Sequence, residues 1–284
     1  MKNKVYQILG VIVLMLFSFY YTDKSIDIIR QTDPIMREIK ATNKKYRTKS
    51  VSARVKGNTV IPGLNGVDID YNKSYKKMKK YGTYNESLTV FKETKPKVSI
   101  NDTYDKYVIS GNTEKRSVAL VFKVEKNSNV DQILNILEKE NIDATMFIDG
   151  LWLENNLDRV MNRKNIEFEI LNYDSSYNEI YFKSAINYLN NVIGTPAKYC
   201  YADYDNKEVI DLCQKLKLHT IIPTLKTGNF PYKEIKNKLS NASIISLPVN
   251  SSTEIELKVV IDYIKSKGYN IEKLDLLLSE NNEK

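Results

Sequence analysis

The sequence predicts an α/β fold in which short parallel strands alternate with amphipathic helices and close into a distorted (β/α) barrel. Three observations carry this reading. Residues 117–150, SVALVFKVEKNSNVDQILNILEKENIDATMFIDG, read as a buried strand, an amphipathic helix and a second buried strand. Similar units repeat as far as Leu278, and strands alternating with helices imply a mainly parallel sheet. Six or so short units suit a barrel better than an open two-sided sheet, and no glycine-rich phosphate loop appears among them. In such folds the chemistry sits just beyond the strand C-termini, so the residues standing there decide the function.

The elements follow in chain order. Lys2 and Lys4 precede an uncharged apolar run over 5–21, and Asp23 and Lys24 follow it. That length reaches the lower limit for crossing a bilayer, about 17 residues. Phe17, Phe19, Tyr20 and Tyr21 are placed to act as an interfacial belt. The run lacks the small residues of a cleavage site, so residues 1–22 are expected to be an uncleaved transmembrane anchor, with the lysine-bearing tail cytoplasmic and the rest extracellular. Residues 23–49 read as a helical stalk. Ile26, Ile29, Met36 and Ile39 recur at near-helical spacing, and Asp33 before Pro34 is an N-cap followed by an N1 proline, which restarts the helix.

Residues 50–110 read as a small α+β domain. SARVKGNTVIPG is strand, Gly-Asn turn and strand, 72–81 is a lysine-rich helix, and 88–91, 98–100 and 107–109 are further strands. Lys73, Lys76, Lys77, Lys79 and Lys80 form a solvated face of that helix, with contact to anionic polymer or lipid headgroups as the alternative. A polar linker, 110–114, leads into the main domain at 116–280. Its strands are expected at 118–122, 144–148, 168–171, 198–201, 220–222 and 244–247, and its helices at 130–140, 153–162, 179–192, 207–216 and 255–267.

Composition narrows the function classes. Hydrophobic residues make up 42% and charged residues 27% of the 284, so most of the chain is expected to fold. The formal net charge of +8 favours anionic partners, but the lysines are spread along the chain, which reads as an ordinary solvated surface. One histidine, His219, and two cysteines, Cys200 and Cys213, nearly exclude a zinc centre, which needs three or four such ligands together. His219 precedes a strand, away from the strand C-termini, and reads as structural. Outside the membrane the cysteines are permitted to pair. They are nevertheless expected as two half-buried thiols, one at a strand end and one inside the next helix, because bridging demands specific geometry.

Over 116–278 the chain resembles the polysaccharide deacetylase family, also called NodB-homology or carbohydrate esterase family 4. The resemblance rests on SVALVF at 117–122, on ILNILEKENIDATMFIDGLWLENN at 133–156 with Ala144, Thr145, Phe147, Gly150 and Trp152, on FEILNYDSSY at 168–177, and on IISLPVNSSTEIELKVVIDYIKSKGYNIEKLDLLL at 244–278. It implies a barrel of the polysaccharide deacetylase type and, were the chemistry intact, a hydrolase acting on C–N bonds. The family's motifs are degenerate here. Lys123 and Val124 stand where it has two aspartates, one the base and one a metal ligand. Tyr173 and Tyr177 stand in place of a His-x-x-x-His pair, and Cys200, Tyr201 and Ala202 in place of an Arg followed by prolines. Lys226, Asn229 and Phe230 stand in place of the fourth motif's carboxylates and Trp, and Leu247 and Pro248 near the fifth motif's Leu and catalytic His. No metal, cofactor or catalytic residue is therefore expected.

The resulting expectation is a membrane-anchored, cell-surface pseudoenzyme that binds envelope glycan or serves as an interaction module for another membrane protein. Nucleic acid is not an expected partner. Tyr173, Tyr177, Tyr199, Tyr201, Tyr204 and Phe230 are the candidate glycan-binding rings, since flat aromatic faces pack on the apolar faces of sugars. The alternative is a divergent carbohydrate deacetylase or hydrolase using Glu125, Asp149, Asp174 and Asp203 at the strand ends.

Overall fold

The computed structural model describes residues 2–281. It divides into two compact units: Met1–Ser50 with Asn65–Thr94, and Val51–Leu64 with Lys95–Lys284. These are not the sequence boundaries at 50, 110 and 116.

In chain order the N-terminal elements are α1 (Lys2–Thr32), α2 (Pro34–Tyr46), β1 (Arg54–Lys56), β2 (Thr59–Ile61), β3 (Gly66–Ile69), α3 (Tyr71–Lys79), β4 (Phe91–Thr94) and β5 (Tyr107–Val108). The first unit holds α1, α2, α3 and the antiparallel pair β3–β4. Asp33 caps α2 by accepting from the Ile35 amide at 2.9 Å, and it also accepts from the Tyr75 hydroxyl at 2.9 Å and the Lys79 ammonium at 2.7 Å. Ile35, Ile39, Ile69 and Met78 form the unit's buried cluster, ringed by Tyr46, Tyr71, Tyr75, Tyr84 and Leu88. The stalk expected at 23–49 is thus two helices, the second of which packs into this unit. The apolar run lies on α1, which continues through charged positions to Thr32. Among the described residues no helix is long and apolar enough to cross a membrane, so the structure does not support a transmembrane anchor at 1–22.

The second unit is the barrel. It adds β6 (Ser117–Val124), α4 (Asp131–Lys139), β7 (Ala144–Asp149), α5 (Gly150–Asn155), α6 (Leu157–Val160), β8 (Ile166–Asn172), α7 (Glu179–Ile193), β9 (Tyr199–Tyr201), α8 (Lys207–Lys215), β10 (His219–Ile221), β11 (Leu225–Lys226), α9 (Pro231–Lys238), β12 (Ile244–Pro248), α10 (Ser251–Ser266), β13 (Asn270–Glu272) and α11 (Leu274–Leu278). One sheet runs β11-β12-β6-β7-β8, all parallel, with β13 pairing the first half of β6. The other runs β1-β2-β5-β10-β9. Its hairpin β1–β2 turns at Gly57, whose φ of 57° the turn requires, and β2, β5, β10 and β9 pair in parallel. Strands from 51–64 and 95–110 therefore complete the barrel rather than a separate domain. β1 pairs β2, β2 pairs β5, and β5 in turn pairs β10, so these segments join the barrel sheet through β5, which is why the boundary falls where it does.

Side chains alternate across the strands. Ala119, Val121, Phe147, Leu171, Tyr199, Tyr201, Ile221 and Ile244 make an inner cluster closed by Leu274, Leu277 and Leu278 of α11. Val118, Leu120, Phe122, Met146, Ile148, Phe168 and Ile170 pack outward on the helices. Cys200 takes the outward side and Cys213 the barrel-facing side of α8, both fully buried. They are bonded, with Cα atoms 6.3 Å apart, which corrects the expectation of two free thiols. Each occupies the apolar position that brings it onto the other.

The strand N-termini hold a buried acidic pair. Glu169 is 2% exposed, and its carboxyl accepts from the amides of Lys198 at 3.0 Å and Tyr199 at 3.2 Å. Glu167 accepts from the Thr145 hydroxyl at 2.6 Å and the Asp275 amide at 3.2 Å. Burial, reinforced by the charge of Glu167, lifts the Glu169 carboxyl well above the usual range. A raised carboxyl contributes stability below its unfolded value, and that contribution is lost as pH rises through the folded one. Glu169→Gln retains an acceptor for both amides. Chemical denaturation should therefore find it more stable than wild type at pH 7–8 by about 1 kcal/mol, with the difference vanishing near pH 4. Equal stabilities at both pH values would refute this.

Candidate functional site

The strand C-termini bring Lys123, Asp203, Tyr201, Tyr177 and Ser246 together. Lys123 is the last inward residue of β6, and its backbone is in register with Phe147 on one side and Pro248 on the other. Its ammonium lies 3.0 Å from Asp203 and 3.3 Å from Glu125. Burial would depress the Lys123 ammonium, but the hydrogen bond and charge of Asp203, helped by Glu125, outweigh it and raise the group above its ordinary value. A fixed positive charge therefore stands at the end of β6. Lys226 approaches the other Asp203 oxygen at 4.0 Å.

Tyrosines fill the space beneath. The Tyr201 ring packs against Phe147 with centroids 5.3 Å apart, and its hydroxyl is 2.8 Å from Ser246 Oγ and 3.3 Å from Asp203. Tyr177 donates to the Tyr201 carbonyl at 3.1 Å. Burial, aided by the Asp203 charge, pushes the Tyr177 phenol up to about 12, and both rings stay neutral donors at physiological pH.

The segment after β8 is a tight turn. Tyr173 and Ser176 exchange both backbone hydrogen bonds at 2.9 Å, and Asp174 and Ser175 between them have φ of 47° and 61°. Two left-handed central residues make a turn of the type that joins hairpin strands. Asp149 secures it: one oxygen caps α5 through the Leu151 and Trp152 amides, and the other accepts from the Ser175 amide at 2.9 Å. Tyr173 stacks on Tyr181 at 5.4 Å, and its hydroxyl donates to Glu154. A Cβ at Gly150 would come within 2.5 Å of the Tyr173 ring, so the close approach needs glycine there.

The predicted positions now sort themselves. Tyr177 bonds Tyr201, Asp203 links Tyr201 to Lys123, and Pro248 is in register with Lys123. Val124 points outward and is fully buried among the helices. Cys200 faces α8 in its disulfide, away from the strand-end cluster. Tyr199 is a correction. Two residues before Tyr201 on the inner face, it lies at the opposite end of the barrel, buried, with its hydroxyl bonded to Asp275 at 3.1 Å. Of the proposed glycan-binding rings, Tyr204 and Phe230 are broadly exposed, whereas Tyr201 and most of Tyr177 are interior. Tyr181, 57% exposed beside Tyr173, was missed because helix periodicity alone placed it on α7 without showing what it stacks on.

The carboxylates named for a divergent hydrolase are each engaged. Asp203 pairs with Lys123, Asp174 with Lys126 at 2.9 Å, and Asp149 is consumed as a cap. A metal is implied by the family but does not fit here. The first-motif position presents an ammonium, and the second presents two phenols engaged with Glu154 and the Tyr201 carbonyl. Among the described residues no group of three or more His, Cys, Asp or Glu is arranged to hold an ion.

Comparison with known proteins agrees with this fold. Residues 110–192 match the polysaccharide deacetylase family. The barrel has the polysaccharide deacetylase-type fold. Protein YlxY of Bacillus subtilis, itself uncharacterized, is 25% identical over 277 residues, covering 90% of this chain and 87% of the relative. The crystal structure of wild-type BA3943 from Bacillus anthracis, described as a CE4 family pseudoenzyme, superposes with a TM-score of 0.67 at 23% identity over 89% of this chain and 97% of that one. A BA3943 mutant described as having restored enzymatic activity gives 0.68 at 23% identity over 88% of this chain and all of that one. The likeness extends beyond the deacetylase-type barrel to most of the N-terminal unit.

His219 opens β10 and is 7% exposed, stacked on Tyr104 at 4.3 Å with Nε2 3.3 Å from Asn101 Oδ1, while Nδ1 is buried without a partner. It lies at the strand N-terminus, as the sequence reading placed it.

Proposed function

We propose that this protein is a catalytically silent member of the deacetylase fold, held at the exterior face of the cell membrane, where it binds envelope glycan without cleaving it. The observation that carries the reading is Lys123. Its ammonium, ion-paired with Asp203 and Glu125, occupies the position of the family's general base. A cation there neither takes a proton from water nor tolerates a metal ion nearby. The fold likeness to a protein described as a CE4 pseudoenzyme supports it. The buried Cys200–Cys213 bridge supports an oxidising location outside the cytoplasm. The apolar run on α1 supports attachment to lipid. Glycan contact rests on the exposed rings of Tyr204 and Phe230, which follow β9 and β11, and on the stacked Tyr173–Tyr181 pair.

The test is acetate release from acetylated glucosamine oligomers and peptidoglycan fragments, with zinc, cobalt or nickel added. The expected result is release no faster than buffer, together with retention of the protein on insoluble glycan. Tyr204→Ala with Phe230→Ala should weaken that retention about tenfold. Metal-dependent turnover would overturn the silent reading, and retention unaffected by the double substitution would overturn the glycan reading.

A further inference from the structure

The net charge of this protein is not shared between its two units. The first unit carries 16 lysines and arginines against eight aspartates and glutamates, a formal +8, whereas the 27 basic and 27 acidic residues of the barrel unit cancel. The whole surplus therefore belongs to the smaller unit. Its helices α2 and α3 turn their apolar residues onto each other and onto β3, and expose Lys40, Lys44, Lys76, Lys77 and Lys80. Such one-sided charge is a footprint for an anionic surface.

The same unit also contains α1, on which every side chain from Leu9 to Thr22 is exposed. An apolar run exposed on every side of its helix is suited to a non-aqueous environment. At the end of the run Phe17, Tyr20 and Tyr21 form an aromatic cluster, with the Lys24 ammonium 5.2 Å from the Tyr20 ring. Apolar run, aromatic cluster and lysines, in that order along one unit, are the profile of a bilayer interface. A soluble wall polymer would be matched by the lysines alone.

We propose that the first unit is an anionic-lipid-binding module, its lysines engaging phosphate headgroups beside the site where α1 enters the lipid. The inference rests on the membrane attachment proposed above, and vesicles separate the two. Full-length protein is floated with vesicles of phosphatidylcholine alone, or with roughly 30% phosphatidylglycerol. Binding to the neutral vesicles reports α1. The module is expected to add at least about tenfold in partitioning to the anionic vesicles, an increment that roughly 0.5 M salt abolishes. The variant Lys76→Glu, Lys77→Glu, Lys80→Glu should lose most of that increment while keeping neutral-vesicle binding and an unchanged circular dichroism spectrum. The milder Lys→Gln triple should lose part of it. Equal partitioning into both vesicles, an increment untouched by either triple variant, or tight binding to soluble polyphosphate without an anionic-lipid increment would overturn the proposal. Failure to bind neutral vesicles, with the increment intact, would instead count against the attachment of α1.

Discussion

Replacing Cys213 with alanine is expected to lower the unfolding free energy by about 3 kcal/mol, the value for closing a loop of this length in the unfolded chain. The bridged residues are 13 apart in sequence and both are fully buried. The effect concentrates on β9, which is three residues long and forms the edge of its sheet, with a ladder partner only in β10. So short an edge strand has few hydrogen bonds to hold it, and the bridge to α8 fixes it from the helix side. Tyr199 and Tyr201, which flank Cys200, carry their hydroxyls to opposite ends of the barrel interior. Their positions therefore depend on the same staple. Urea denaturation of the wild-type protein with and without reductant, beside the alanine variant, checks this. The reduced wild type and the variant should fall together, and a midpoint that reductant leaves unchanged would show that the bridge adds nothing to stability.

His219 sets the second large effect. Burial pulls its imidazole down to about 4 from an ordinary value of 6.5. The folded form thus holds the ring neutral where the unfolded chain would already protonate it. Stability from this source is complete above pH 6.5 and is lost as pH falls toward 4, on the order of 3 kcal/mol in all. The orphaned Nδ1 adds to the cost of burying a charged imidazole: among the described residues no acceptor faces that nitrogen. His219→Phe keeps a ring for the stack and removes the titration. The wild-type advantage over that variant should shrink as pH drops from 7 to 4, and an advantage constant over that span would sink the prediction.

Much of the barrel was legible in the sequence because its central strands are buried on both faces. Residues 118–122 are a continuous apolar run and 144–148 one interrupted only by Thr145, and the structure extends the first by three residues and the second by one. The helix expected at 153–162 is instead α5 and α6, separated at Asn156. What periodicity cannot show is a partner. Strands β2 and β5 have three and two residues, and only their parallel pairing with each other and with β10 assigns them to the barrel. The two-residue β11, the three-residue β13 and the five-residue α11 fall below the length at which a pattern is readable. The candidate site was legible by subtraction, since Lys123 announced that the first motif was gone. Its replacement was not, because the Lys123–Asp203 pair spans 80 residues. Strand alternation did hold the signal that Tyr199, Cys200 and Tyr201 cannot all face one pocket.

The Lys123–Asp203 pair has a thermodynamic consequence of its own. A protein that draws positive charge at its active centre from a dissolved ion has a folded population linked by mass action to that ion's free concentration. Here the positive charge is a side chain, present at unit stoichiometry in every copy and impossible to dilute or chelate away. The charge that Lys123 supplies at the strand ends of this barrel is therefore independent of the metal supply of its surroundings.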